Sequence, residues 1–260
     1  MYKEPFITII TVSYNSESTI SDTIESVLNQ DYSNYEYIII DGASTDNTLN
    51  IIKNYQIKFE NKNIRFRFYS EPDNGIYDAM NKGILQAEGK WIGILNSDDF
   101  YIDDKVLSSI AHNIIENPIA KAHYADLVYV KQNDINKITR YWQSGKFNPR
   151  RFYYGWVPPH PTLFVDHEIY DSYGLYNEDL DISADYEFML RIFVKNNVPA
   201  AYLPKILIKM RDGGASNISL ANRKKGANNI RLAWKINKLT PLPFTFILRL
   251  LRKIPQYIWK

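Results

Sequence analysis

Asp98 and Asp99 are adjacent carboxylates that follow an apolar run, Trp91-Ile92-Gly93-Ile94-Leu95. Neighbouring charges of one sign repel, so keeping both ionised is costly unless a cation stands beside them. Hard divalent ions such as Mg²⁺ take oxygen ligands, often one or two carboxylates with substrate phosphates completing the shell. Ser97-Asp98-Asp99 also has the composition of a turn that caps a helix opening near Asp103. The metal-and-phosphate reading is favoured by three further polar clusters, each placed after its own apolar run. They are Thr11-Val12-Ser13-Tyr14-Asn15, Asp41-Gly42-Ala43-Ser44-Thr45-Asp46 and Glu71-Pro72-Asp73-Asn74-Gly75. Asp41, straight after three isoleucines, can accept hydrogen bonds from a nucleobase or a ribose, or cap its own turn. Tyr14 offers a ring for base stacking or for packing, in a chain with 20 tyrosines.

The elements that would bring these clusters together follow from the apolar runs at 6–12, 35–40, 64–69 and 91–95. Each run is short and nearly continuous, the pattern of a strand buried on both faces of a parallel sheet. Helix-period segments separate them. Ile20, Ile24, Val27 and Leu28 share one face, as do Ile76, Met80, Ile84 and Ala87. Asp46 is placed to cap the helix carrying Leu49, Ile52 and Tyr55, and Gly89 stands where a helix-terminating glycine belongs. The runs recur every 26–31 residues, the length of a βαβ unit. The expectation is an α/β fold with a doubly wound, mostly parallel sheet flanked by helices and followed by C-terminal helices. Such sheets bind ligands at the carboxyl ends of their strands, where all four clusters lie. No Gly-x-Gly-x-x-Gly and no Walker-type loop is present, which disfavours a dinucleotide cofactor and a P-loop.

Taken together, Thr11 to Asn15, the Asp41 to Asp46 cluster, Asp73-Asn74-Gly75 with Asn81-Lys82-Gly83, and Asn96-Ser97-Asp98-Asp99 resemble the successive motifs of family 2 glycosyltransferases of the GT-A fold. The resemblance implies a nucleotide-sugar donor and a divalent metal, Mg²⁺ or Mn²⁺. Tyr14 and Asp41 would contact the base, with Thr11, Asn15 and Asp73 in the same donor-binding set. Asp98 would meet the ribose or sugar, and Asp99 the metal bridging the diphosphate. Two positions depart from the family pattern. Gly42 stands where a second acid is common, and Met80 where an arginine often is; Lys82 is the candidate replacement for that positive charge.

The second half reads as a helix over 103–117, a strand over 123–130 and a hairpin through Gln132-Asn133-Asp134. His160, between prolines, sits on a stiff loop, as an acceptor-side candidate or as a structural histidine. Ser183 can cap a helix burying Phe188, Met189, Ile192 and Phe193, with Asp185 in its first turn. The family's general base opens this helix, so the resemblance makes Asp185 the catalytic candidate, with Asp179 and Asp181 as neighbouring alternatives. A helix N-terminus favours the charged carboxylate and so weakens it as a base. The strand at 206–210 leads into Arg211-Asp212-Gly213-Gly214-Ala215-Ser216, which resembles the segment that closes over the donor, with Arg211 on the diphosphate.

The formal net charge of +2 hides an asymmetry. Residues 1–212 carry −8, whereas residues 213–260 hold ten basic residues and no acid. A domain over 1–218, with a donor half (1–100) and an acceptor half (101–218), would therefore be joined to a basic helical tail over 219–260. The tail helix expected over 244–259 puts Arg249, Arg252 and Lys253 opposite Ile247, Leu248, Leu251, Ile254 and Ile258, the pattern of a helix lying in a membrane interface. An anionic membrane surface is the expected partner, and a second copy of the chain is the alternative cover for the apolar stripe. Nucleic acid is not expected, since no recognised motif accompanies the cations. With no cysteine, thiolate metal sites, disulfides and cysteine nucleophiles are excluded. Without an apolar signal or spanning segment, the expected location is cytoplasmic, peripheral at the inner face of the plasma membrane. The resulting expectation is an inverting, metal-dependent glycosyltransferase acting on a lipid-linked or glycan acceptor in cell-surface polysaccharide synthesis. A sugar-nucleotide-binding protein without turnover and a metal-dependent nucleotidyltransferase are the alternatives.

Overall fold

The computed structural model describes residues 6–213 and 220–258. The four apolar runs form β1 (Ile7–Ser13), β2 (Tyr35–Asp41), β3 (Arg65–Ser70) and β4 (Trp91–Ile94). They pair in parallel in the order β3-β2-β1-β4. The chain steps outward from β1 to β3 and then returns to the other side of β1, so the sheet has its switch point between β1 and β4.

The connecting helices are α1 (Ile20–Leu28), the short α2 (Thr48–Asn54) and α3 (Gln56–Asn61), and α4 (Ile76–Gln86). Alternate residues of each strand enter two apolar layers, as period-two geometry requires. Ile10, Val12, Ile38 and Ile40 pack with Met80 and Ile84 of α4 on one face. Ile7, Ile9, Tyr37 and Ile39 pack with Ile20, Ile24 and Val27 of α1 on the other.

The sheet continues through β5 (Phe100–Tyr101), β6 (Ala122–Lys131), β7 (Asp134–Trp142), β8 (Phe164–Asp166) and β9 (Ala200–Arg211). β4 is followed in the sheet by β8, β6, β9 and β5, and β7 pairs with β6 through the expected hairpin. α5 (Val106–Glu116) and α6 (His167–Tyr173) flank this half. α7 (Ala184–Met189) runs into a π-helical turn, Leu190–Lys195. It buries Phe188, Met189, Ile192 and Phe193 as the sequence indicates. The tail comprises α8 (Leu220–Ile236), α9 (Thr245–Leu251) and a 3₁₀ turn, Pro255–Tyr257.

Several local expectations change. Ile76 is exposed, and Tyr77 takes its place on the buried face of α4. Gly89 does not end α4; its N–H donates to Thr8 Oγ1, and a Cβ there would lie 2.5 Å from the Thr8 nitrogen. It is a close-approach glycine under β1. Asp46 accepts from the N–H of Thr48, the first residue of α2, from one position before the N-cap residue Asn47. Ser183 precedes α7 with φ +79° and makes no side-chain cap; its N–H donates to the Tyr77 hydroxyl instead.

The single tail helix over 244–259 is not formed, because Pro255 lacks the N–H that would continue α9. The apolar stripe stays outward, and of the three cations it is Arg249 that turns inward. Ile247, Leu250, Leu251, Ile254 and Ile258 are exposed, while Arg249 lies over the Tyr186 ring at 4.9 Å. Gly155, at φ +76°, allows this docking: a Cβ on it would meet the Arg249 backbone nitrogen at 2.3 Å.

Candidate active site

The polar ends of β1, β2 and β4 meet in one crevice, held by hydrogen bonds between loops. Asn15 accepts from the Thr45 N–H at 2.9 Å, and its own N–H donates to Ser44. Ser16 and Ser97 hydroxyls lie 2.8 Å apart, tying β1's end to β4's. Tyr14 is 64 % exposed at the rim, so its ring is available to a planar ligand. A Cβ on Gly42 would lie 2.4 Å from an Asp73 carboxylate oxygen and 3.4 Å from the Tyr14 ring. Asp73, from the end of β3, therefore fills the space that a side chain at position 42 would enter, and brings an acid to it.

Three expected donor contacts are placed otherwise. Thr11 is fully buried in β1, where its hydroxyl accepts from Tyr37. It faces the core because the strand's alternation turns it there. Asp41 is also fully buried, and its carboxylate accepts from Ser13, Ser70, and the Ser44 N–H and hydroxyl. This carboxylate organises the strand end, with no oxygen left over for a base. Lys82 lies against Glu71 at 3.1 Å and Asp78 at 3.5 Å and donates to the Pro72 carbonyl, so its charge braces the loop before α4. Asn81, from the same motif, clamps Tyr176 by donating to its carbonyl and accepting its N–H.

The acid pair sits at the crevice floor. Asp99 is wholly enclosed, and burial followed by the neighbouring Asp98 charge pushes its carboxyl well above the usual range. Its Oδ1 is buried without a hydrogen-bond partner. Burial also raises Asp98, opposed by the charges of Arg211 and His160. Arg211, at the end of β9, donates to the Asp98 carbonyl at 2.7 Å, pairs with Asp22 and covers the Phe100 ring. It thus stands beside the acid pair, with a polar cleft of about 450 Å³ opening on the side of Asp22 and the β6–β7 turn. The Gly213-Gly214 loop extends, from Gly214, outside the described residues. An enclosed, unpartnered carboxylate oxygen next to a second acid fits a divalent cation, although the described residues contain no group of three or more His, Cys, Asp or Glu side chains able to hold one. Two carboxylates with phosphate oxygens suffice for Mg²⁺.

The second cluster centres on Asp185. His160 Nδ1 lies 3.1 Å from Asp185 Oδ2, and the Tyr77 hydroxyl donates to Oδ1 at 2.9 Å. Burial opposes the charge, but the His160 charge, hydrogen bonds from His160 and Tyr77, and the Tyr186 N–H outweigh it and hold the carboxyl at about 2. Burial raises Tyr77 well above its ordinary value, keeping it a neutral donor. Among the neighbouring alternatives, Asp181 is occupied by Lys225 and Asn229. Sequence reasoning missed Tyr77, which nothing in its surroundings separates from the other tyrosines. It also missed Asp22, the counter-ion of Arg211.

A sheet with this switch point, flanked by helices and carrying an acid pair after β4 and an acid opening α7, defines a GT-A type glycosyltransferase. The model of glycosyl transferase family 2 matches residues 8–168, and the chain belongs to that family and is a glycosyltransferase. The chain is 27 % identical over 214 residues to a PGL/p-HBAD biosynthesis glycosyltransferase of Mycobacterium bovis, covering 82 % of this chain and 80 % of the relative. A putative teichuronic acid biosynthesis glycosyltransferase of Bacillus subtilis is 37 % identical over 103 residues, 40 % of each chain. The family's relatives thus include enzymes of cell-surface glycan synthesis. Among solved structures, S. aureus TarS 1-349 in complex with UDP-GlcNAc aligns with TM-score 0.67 at 20 % identity, over 88 % of this chain and 65 % of that one. A mannosyltransferase of Pyrobaculum calidifontis in complex with GDP-Man and Mn²⁺ aligns with TM-score 0.66 at 18 % identity, over 95 % and 68 %. These likenesses establish the GT-A fold.

Proposed function

We propose that this chain transfers a sugar from a nucleotide-sugar donor, with inversion, to a lipid-linked or glycan acceptor in cell-surface polysaccharide synthesis. The observation that carries the reading is the His160–Asp185 pair, with Nδ1 3.1 Å from Oδ2. The donor's base lies against Tyr14, with Asp73 and Asn15 at the rim and Asp41 shaping the strand end. Asp98 and Asp99 would hold a divalent cation, which would supply charge neutralisation to the donor diphosphate. Arg211 keeps Asp98 in place through its carbonyl.

Both oxygens of Asp185 are engaged, Oδ1 by the Tyr77 hydroxyl and Oδ2 by His160 Nδ1. His160 leaves its second ring nitrogen, Nε2, to accept the proton. The acceptor hydroxyl attacks the anomeric carbon, the bond from that carbon to the diphosphate oxygen breaks, and the proton passes to His160 Nε2. Asp185 fixes the tautomer with N–H on Nδ1 and stabilises the imidazolium. Attack opposite the departing diphosphate inverts the anomeric centre.

The exposed apolar residues of α9 and the turn after it support seating on a lipid surface. Among the described residues no helix is long and apolar enough to cross a membrane. The test is a screen of nucleotide sugars with Mn²⁺ for thermal stabilisation, followed by nucleoside diphosphate release with the stabilising donor. A donor that binds without release with lipid-linked and glycan acceptors alike would leave a binding protein in place of the enzyme.

A further inference from the structure

A cavity of about 210 Å³ lies where β7, the 149–157 segment and the tail meet. Arg140, Arg151, Arg249 and Arg252 line it with Trp142 and Trp156, and no Asp or Glu does. Among the described residues none of the four guanidinium groups has a carboxylate within 4 Å, although ion pairs are frequent elsewhere in the chain. Each is nevertheless fixed. Arg140 donates to Gln256 and lies over Tyr129 at 4.5 Å. Arg151 covers Trp156 at 4.8 Å and donates to the Lys146 carbonyl. Arg249 covers Tyr186, and Arg252 donates to the Tyr154 carbonyl. Burial and the neighbouring Arg252 charge pull Arg151 below its ordinary value, a sign of crowding without a counter-ion.

Like charges held this close are unfavourable until an anion joins them. A guanidinium has five N–H donors in a planar fork suited to phosphate oxygens, and fixing it on an aromatic face removes the ordering cost of binding. We propose that this cavity is the subsite for the phosphate or diphosphate group of a lipid-linked acceptor, an assignment that rests on the glycosyltransferase reading above. Two placements support it. Trp156 is four residues from His160, so the cavity lies within about 14 Å of the proposed base along the chain. The tail that supplies Arg249 and Arg252 carries Ile247, Leu250, Leu251 and Ile254 exposed on its outer side. An anionic head in the cavity would let its hydrocarbon chain lie along those residues and its sugar reach towards His160.

The test is isothermal titration of the full chain, in EDTA to silence the metal-dependent donor site, with farnesyl diphosphate and with inorganic pyrophosphate. The expected result is farnesyl diphosphate binding at least ten-fold tighter than pyrophosphate, and weakened at least ten-fold in the Arg151→Gln/Arg252→Gln double variant. Arg252→Gln alone, at a largely exposed position, should show a several-fold loss if the double variant does not fold. Binding of the nucleotide sugar that stabilises the wild type with Mn²⁺ should be the same in wild type and variants, which separates failure of the subsite from failure of the donor reading. Unchanged farnesyl diphosphate affinity in the variants, or no binding by wild type, overturns the proposal. Equal affinity for the two probes overturns the lipid-linked source, and the site is then one for free phosphate.

Discussion

Replacing Asp185 by Asn tests the proton-transfer assignment most directly. Asn keeps the size and accepts from Tyr77, but it removes the charge that faces His160. It can also turn an N–H towards Nδ1, which reverses the imidazole tautomer and places the hydrogen on Nε2. Holding the carboxyl at about 2 against an ordinary 3.8 corresponds to about 2.5 kcal/mol of preference for the charged form. Losing stabilisation of that order in the transition state lowers kcat by about 60-fold. Reversal of the tautomer extends the loss towards 10³–10⁴-fold, as general-base removal does elsewhere. The KM for the donor should change little, because Asp185 makes no contact with the β1–β4 strand ends. Nucleoside diphosphate release in steady state measures both parameters. His160→Ala should cost about as much as Asp185→Asn, and the double variant little more than either, since the two act as one unit. A kcat within three-fold of wild type for Asp185→Asn would falsify the assignment, and additive losses would refute the coupling.

The same carboxyl makes a stability prediction. Its folded value is depressed, so its contribution is fully present above about pH 4 and is lost as pH falls through about 2. The urea midpoints of wild type and Asp185→Asn should accordingly converge over that window; a constant gap would show that the charge is not responsible. Glu36, fully buried and taken up by Thr8, Arg67 and the Glu88 N–H, lies at the opposite end of the sheet from the site. Glu36→Ala should destabilise by about 1–3 kcal/mol by leaving the buried Thr8 hydroxyl and the Glu88 N–H without their acceptor, while Arg67 keeps Glu88 and the Gln86 carbonyl, with kcat of the folded protein unchanged. Gly89→Ala should cost about 1–3 kcal/mol in chemical denaturation, because its methyl would meet the Thr8 backbone. Asp99→Asn should abolish the Mn²⁺-dependent part of thermal stabilisation by the nucleotide sugar, which for wild type at 100 times Kd amounts to about 2.7 kcal/mol; retention of that part would remove Asp99 from the cation site.

The sequence by itself determined the sheet and where its strands end. Apolar runs such as Tyr35–Asp41 are strands wherever both faces are covered, and the polar residues after them must gather at one edge because parallel strands share a direction. The family and the acid pair were legible for that reason, and Asp185 through the family resemblance. Which way each polar residue turns was decided by tertiary packing. Thr11 and Asp41 lie in the right motifs, but pleat and hydrogen bonding direct them inward, whereas Asp73 reaches into the space beside Gly42 from the loop after β3. The His160–Asp185–Tyr77 cluster joins residues 25 and 108 positions apart, a coincidence that no local period encodes. The tail shows the same division. Its composition announced an amphipathic basic segment, but its facing was settled by Gly155 and Tyr186, which draw Arg249 onto the body and leave the apolar side chains outward. Periodicity fixes which residues share a face of a helix; only the surface it docks on determines which face is buried.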